Sequence, residues 1–162
     1  FVYALSDSFR RCPTMSDPPC RQLLRTAMPN TALPIVNWNE FNAARRLLGT
    51  SFVRVLGYFE EDAIVSLNET EQALRDGNAA GMVLPTHKLK SEARQFGAER
   101  LGQLAEDIED FARACVESHE TPETSLEKVV QLRPTFELTL AEIKAEVSPL
   151  VQRRPGFGRK VA

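Results

Sequence analysis

Apolar residues between positions 37 and 147 recur every three or four residues, and no long stretch alternates with the two-residue period of a strand. This spacing places the apolar side chains along one face of an α-helix. Helices with one apolar face each bury it most economically against one another. The sequence therefore predicts an all-α fold, an antiparallel four-helix bundle in up-down-up-down order.

Residues that favour helix ends divide this region into four predicted helices. The first opens at Asn37, with Glu40 as its capping partner, bends at Gly49-Thr50 and ends at residues 76–78. The second is predicted over about residues 79–96, before Gly97, and the third over about residues 98–117. The last follows Thr121-Pro122-Glu123 and reaches about residue 147, with Pro134 expected to kink or split it.

The segments flanking the bundle have a different character. Residues 1–34 contain five prolines, so we expect a mostly irregular arm with one short helix over residues 21–28. Residues 148–162 form a basic tail that contains proline and glycine. The predicted organisation is an arm at 1–34, a bundle at 35–147 and a tail at 148–162.

Composition excludes several function classes. The chain has 162 residues, and 20 Lys and Arg against 22 Asp and Glu give a net charge of −2, which argues against a protein that binds nucleic acid through phosphate contacts. The sequence shows no membrane-length apolar run and no signal peptide, so we expect a cytoplasmic protein. Its three cysteines and two histidines lack zinc-site spacing, and no glycine-rich phosphate loop is present, so no cofactor is expected.

The second predicted helix carries the residues most suited to chemistry. On a helical wheel, its core face consists of Met82, Leu89, Ala93 and Phe96. The opposite side presents His87 together with Lys90, Ser91 and Arg94, and the apolar Val83 and Leu84 lie one turn earlier. We therefore expect His87 to point outward, beside cations and a small apolar patch.

This arrangement suits phosphoryl chemistry on a histidine. A neutral imidazole is a nucleophile near pH 7 when its other nitrogen holds the proton. Lys90, one turn from His87, is placed to neutralise charge on a transferring phosphoryl group. The spacing alone also fits an ordinary solvated helix face that happens to include a histidine.

A family resemblance favours the phosphoryl reading. The run His87-Lys88-Leu89-Lys90, then Phe96-Gly97-Ala98, Leu101, Leu104 and Ile108-Glu109, resembles the histidine phosphotransfer (HPt) domain of multistep two-component phosphorelays. Residues 35–41 also resemble that family's approach to its first long helix, so the resemblance covers about residues 35–147.

The resemblance implies a role for each matching residue. His87 is expected to accept the phosphoryl group, Lys90 to stabilise it, and Glu109 to orient the imidazole. The implied partners are receiver domains of response regulators and of a hybrid histidine kinase, which bring the Mg²⁺. The expected docking residues are Val83, Leu84, Lys88, Ser91 and Arg94. The chain would be a monomeric phosphocarrier without ATP-dependent kinase activity.

Three positions depart from the family pattern. Ser91 stands where the family usually has glycine, and Glu92 replaces a usually small residue. Pro85 lies inside the predicted helix and calls for a kink or a new helix start near residues 84–86. These departures leave open an alternative, an HPt-like module that docks on a kinase or regulator without carrying phosphate. A bundle unrelated to signalling is a third reading, and it predicts a buried or blocked His87.

Overall fold

The structure, a computed structural model, describes residues 33–148, and this part of the chain is helical without strands. Its α-helices are α1 (Trp38–Leu48), α2 (Phe52–Arg75), α3 (Ala79–Gln95), α4 (Glu99–Ser118) and α5 (Leu126–Val147). The predicted all-α class is confirmed. The expected arm and tail lie outside the described residues, except for positions 33, 34 and 148.

The helix boundaries follow the capping residues. The Asn37 side chain accepts a hydrogen bond from the backbone N–H of Asn39 at 3.2 Å, and the Asn78 side chain accepts one from Gly81 at 2.9 Å. The predicted bend at Gly49-Thr50 is a 3₁₀ turn over Gly49–Ser51, which separates α1 from α2. A second 3₁₀ turn, Pro122–Ser125, precedes α5. The first predicted helix is therefore two helices with a short joint.

Both internal prolines lie within continuous helices. The new helix start expected near residues 84–86 is wrong, because α3 runs unbroken through Pro85, and α5 likewise is not split at Pro134. The Thr86 hydroxyl lies 2.7 Å from the carbonyl oxygen of Met82 and 3.1 Å from that of Val83, so it adds hydrogen bonding in the turn that Pro85 weakens. In each helix, the segments before and after the proline pack against the same core. This packing outweighs the backbone hydrogen bond that proline removes.

Helix α1 is tied to the bundle by aromatic side chains. Consecutive rings in this row have centroids 5.1 to 6.1 Å apart, mostly edge to face, a geometry that adds to their burial energy. The row consists of Trp38, Phe41, Phe52, Phe96, Phe59 and Phe136. It connects α1, α2, α5 and the C-terminal end of α3 through one hydrophobic core.

Ion pairs between neighbouring helices show their relative directions. Between α2 and α5, Glu60 pairs with Lys144 and Glu71 pairs with Arg133, so residue numbers rise on one helix as they fall on the other. Between α3 and α4, Lys90 pairs with Glu109 and Arg94 with Glu106 in the same reversed order. Each of these two helix pairs is antiparallel. None of the helices within residues 33–148 combines the length and hydropathy needed to cross a membrane.

Gly97 joins the end of α3 to the start of α1 through a backbone hydrogen bond. Its φ is +68°, and its carbonyl oxygen accepts a hydrogen bond from the Asn37 N–H at 2.7 Å. A Cβ at this position would lie 2.5 Å from the Asn37 carbonyl oxygen. Glycine is therefore required here both by backbone conformation and by space.

Replacing Gly97 by alanine is expected to destabilise the protein more than replacing Gly77. Gly77 has a similar φ of +64° but nothing within 4 Å of its Cβ position, so Gly77→Ala carries only the conformational cost, about 1 kcal/mol. Gly97→Ala should cost at least about 1 kcal/mol more, because backbone must move. Urea unfolding of both variants measures the difference, and equal losses would show that the contact with Asn37 is unimportant.

Candidate functional site

His87 lies on the outer surface of α3, with its side chain 53% exposed. The four residues predicted for the opposite face, Met82, Leu89, Ala93 and Phe96, are all fully buried. The predicted orientation of α3 is therefore confirmed. This exposure argues against a bundle unrelated to signalling, since that reading predicted a buried or blocked His87.

Glu109 reaches His87 from the neighbouring helix α4. Its side chain is only 3% exposed, and its Oε1 lies 3.0 Å from Nδ1 of His87. The Lys90 ammonium, on the next turn of α3, lies 2.6 Å from the other carboxylate oxygen, Oε2. The structure thus brings together the three residues that the sequence singled out for chemistry.

Arg113 completes this cluster and was missed by the sequence reasoning. Its Nε and Nη2 atoms donate to Oε1 of Glu109 at 3.0 and 2.7 Å. The signal available in the sequence was the spacing, because a glutamate and an arginine four residues apart share one face of a helix. His87, Lys90 and Arg113 therefore surround a single buried carboxylate.

The cluster keeps Glu109 ionised. Burial by itself raises the pKa of this carboxyl, but the hydrogen bonds and charges of Lys90, Arg113 and His87 outweigh burial and lower the pKa to about 2. At neutral pH Glu109 is thus a carboxylate that only accepts hydrogen bonds. An ionised group this well buried is stable only because cations surround it.

The ionised carboxylate fixes the proton on the imidazole. Since Glu109 accepts, Nδ1 of His87 must be the donor across the 3.0 Å contact. In the neutral ring, the remaining nitrogen, Nε2, then holds the lone pair. The half-exposed position of the ring leaves His87 open to a partner. The geometry therefore presents a nucleophilic nitrogen on the protein surface.

The expected docking residues surround His87, but their charges are balanced. Lys88 pairs with Asp62 at 3.0 Å, and Arg94 pairs with Glu106 at 2.6 Å. The face around His87 therefore carries paired positive and negative charges rather than an excess of positive charge. Leu84 is 76% exposed, whereas Val83 packs partly against the core.

Of the departures from the family pattern, Ser91 lies on this face, whereas Glu92 lies beside Lys88, about 140° around the helix from His87. The exposed Ser91 turns its hydroxyl back to donate to the His87 carbonyl oxygen at 3.0 Å, so its Cβ is the part that projects. Glu92 lies 3.9 Å from Lys88 and is mostly buried. Burial raises the pKa of Glu92, and the charge of Lys88 opposes that shift. Both residues change the surroundings of His87 without entering its contact with Glu109.

Replacing Glu109 by glutamine should remove a contribution to the free energy of unfolding that depends on pH. Because the Glu109 pKa is lowered from 4.5 to about 2, its contribution is fully present above pH 4.5 and is lost as the pH falls toward 2. That contribution is on the order of 3 kcal/mol. The difference in unfolding free energy between wild type and Glu109→Gln should therefore be large at pH 7 and shrink over this range.

Urea titrations at several pH values measure this difference. The matched control is Glu60→Gln, which breaks the more exposed pair with Lys144 and should cost at most about 1 kcal/mol at pH 7. A Glu109→Gln difference that stays constant between pH 7 and pH 2.5 would contradict the assigned role of this carboxylate.

The comparison with known protein families agrees with this geometry. Residues 54–147, more than half of the chain, match the family model described as "Hpt domain". Neither a curated protein nor a solved structure matches the chain. The matched range contains His87, Lys90, Glu109 and Arg113. The chain belongs to the Hpt domain family, the histidine phosphotransfer domains of two-component phosphorelays.

Proposed function

We propose that this protein is a phosphorelay intermediate that accepts a phosphoryl group on His87 from a receiver-domain aspartate and passes it to the aspartate of another receiver. The observation that carries the proposal is the contact of His87 Nδ1 with the ionised Glu109, 3.0 Å long, on a ring that is half exposed. This contact leaves Nε2 with its lone pair where a partner can reach it.

The transfer uses only groups that this arrangement and a receiver supply. The lone pair of Nε2 forms a bond to phosphorus, and the bond from phosphorus to the aspartyl oxygen breaks with its electron pair going to the receiver's carboxylate. The Nδ1 proton stays in its hydrogen bond to Glu109. The ring thereby gains a positive charge, which the carboxylate beside it stabilises. Return transfer to a second receiver follows the reverse path.

Lys90 adds positive charge close to the reacting group. Its side chain is 16% exposed, and its ammonium lies beside Glu109, one helical turn from His87. Positioning and electrostatics supply most of the protein's contribution to such a transfer. The Mg²⁺ comes with the receiver in this proposal, since the carboxylate nearest His87 is already engaged by two cations. The protein acts as a monomeric cytoplasmic phosphocarrier, without a kinase reaction of its own.

The docking face in this proposal is built around exposed apolar surface and exchangeable ion pairs. Leu84 projects into solvent one turn before His87, with Val83 beside it. Lys88 pairs with the half-exposed Asp62 and Arg94 with the more buried Glu106, and pairs that solvent reaches are worth little. Acidic groups around a receiver's aspartate can therefore replace those partners at small cost. Ser91, one turn after His87, borders the same contact.

A docking module that binds receivers without carrying phosphate is the second candidate. Its support is the exposed Ser91, whose Cβ projects on the face where a receiver must approach His87. Receiver binding without transfer in either direction would favour this candidate. The labelling experiment below separates the two.

Incubation with a phosphorylated cognate receiver should move labelled phosphoryl from the receiver to His87. The His87→Gln variant should remain unlabelled while keeping its fold, because the exposed imidazole contributes little packing. Transfer is measured as label on each protein after separation, and the site is identified by mass spectrometry of the labelled peptide. Unchanged labelling of His87→Gln would refute the assignment.

Leu84→Ala should weaken receiver docking without lowering stability. The side chain is 76% exposed, so its removal leaves no cavity, but it removes an apolar contact beside His87. The KM for the phosphorylated receiver should rise about 3- to 10-fold, with kcat nearly unchanged. Leu47→Ala is the matched control, since Leu47 is 87% exposed on α1, a helix that carries none of the expected docking residues. Equal effects of the two variants would exclude Leu84 from the docking surface.

A further inference from the structure

Glu92 carries a mostly buried carboxyl group that has few of the partners a carboxylate needs. Its side chain is 21% exposed, and its Oε2 is buried and accepts no hydrogen bond from any group within residues 33–148. The Lys88 ammonium, on the previous turn of α3, lies 3.9 Å from Oε1. The buried Glu109, in contrast, has three basic neighbours. Ionisation of Glu92 is therefore costly, because little in the fold replaces the water that burial removes.

Lys88 is shared between Glu92 and a second acid on α2. Its ammonium lies 3.0 Å from Oδ1 of Asp62, closer than it lies to Glu92. Glu69, also on α2, adds negative charge that acts on Lys88. Burial raises the pKa of Glu92, the charge of Lys88 opposes this shift, and the charge of Asp62 adds to it. One ammonium therefore serves two carboxyl groups.

The same ammonium lies on the face proposed for docking. Lys88 follows His87 directly, and its side chain is 46% exposed. An acidic group of a receiver that recruits Lys88 draws it away from both carboxyl groups. Asp62 is half exposed, so water solvates it once Lys88 has left. Glu92 is mostly buried, so losing Lys88 is costly when Glu92 is a carboxylate and nearly free when it is a neutral acid.

We propose that Glu92 is a positioning residue for receiver docking, because it holds Lys88 when it is ionised and releases Lys88 to the receiver when it is neutral. The inference rests on the docking step of the proposed function, since the receiver supplies the competing acid. Wherever Glu92 is ionised, docking moves a proton from solvent to its carboxylate.

This proton uptake fixes the sign of the pH dependence. Docking raises the pKa of Glu92 further by removing the charge of Lys88, so the protonated form binds more tightly. The affinity for the receiver therefore falls as the pH rises through the range in which Glu92 titrates. That range lies above 4.5, the ordinary pKa of this carboxyl, because the Glu92 pKa is raised in the folded protein.

Isothermal titration calorimetry of the whole protein between pH 5 and pH 8 tests the linkage. The probe is the receiver domain of the source organism that binds most tightly at pH 5. Relative to Glu92→Gln, which keeps the shape of the neutral acid, the wild-type Kd should rise about 3- to 10-fold over this range. Titrations in two buffers of different ionisation enthalpy should show more proton uptake by the wild type than by Glu92→Gln.

Glu61→Gln is the matched control for these titrations. It removes an equal charge from an exposed position on α2, so its Kd should follow the pH profile of the wild type. Parallel pH profiles for the wild type and Glu92→Gln overturn the inference.

Carbon NMR of the Glu92 carboxyl tests the coupling to Lys88 without a receiver. The pKa of Glu92 should lie above 4.5 in the wild type and rise further in Lys88→Met, which removes the opposing charge. Lys128→Met is the control, since Lys128 is similarly exposed but pairs with Asp107 on α4, and it should leave the Glu92 pKa unchanged. Equal Glu92 pKa values in the wild type and Lys88→Met contradict the inference.

Docking and labelling together separate this inference from the relay function. Glu92-dependent proton uptake on docking, with no receiver able to label His87, supports the inference and contradicts the relay. Labelling of His87 with docking that does not depend on Glu92 does the reverse. Absence of binding by every receiver overturns both.

Discussion

One buried carboxylate organises the functional face of this protein. Glu109 is almost inaccessible to solvent, yet it stays ionised because Lys90, Arg113 and His87 all direct donors at it. The interaction holds α3 against α4, sets the proton on the imidazole and gathers positive charge beside the proposed phosphoryl acceptor. Stability and the proposed chemistry thus depend on the same contacts, so we expect a change at this residue to affect both.

The helical architecture was predictable because it follows from local rules. Apolar spacing defined the buried faces, Asn37 marked a helix start, and residues 76–78 and Gly97 marked helix ends. The expectation that a proline could split a helix or start a new one was wrong, because helix propensity considers each helix in isolation. In the folded chain, Pro85 and Pro134 lie in helices whose flanks are both anchored in one core, and that packing outweighs a missing hydrogen bond.

The candidate site was predictable in part. The wheel placed His87 and Lys90 on one face, and the resemblance suggested Glu109, but neither gave the distances that make these residues one cluster. Arg113 was overlooked because an arginine four residues after a glutamate is an ordinary pair on a helix surface, and its role depends on which oxygen it contacts. The acidic partners of Lys88 and Arg94 come from α2 and α4, so only the tertiary structure shows that the face is charge-balanced.

The row of aromatic rings bears on where this domain begins. The family match starts at residue 54, within α2, but the row runs from Trp38 through Phe41 and Phe52 before it reaches the matched region. A fragment cut at residue 54 would lose these three rings and uncover the face of Phe96 that packs against Phe52. Helix α1 therefore belongs to the cooperative folding unit, and the physical domain is larger than the part that family likeness recognises.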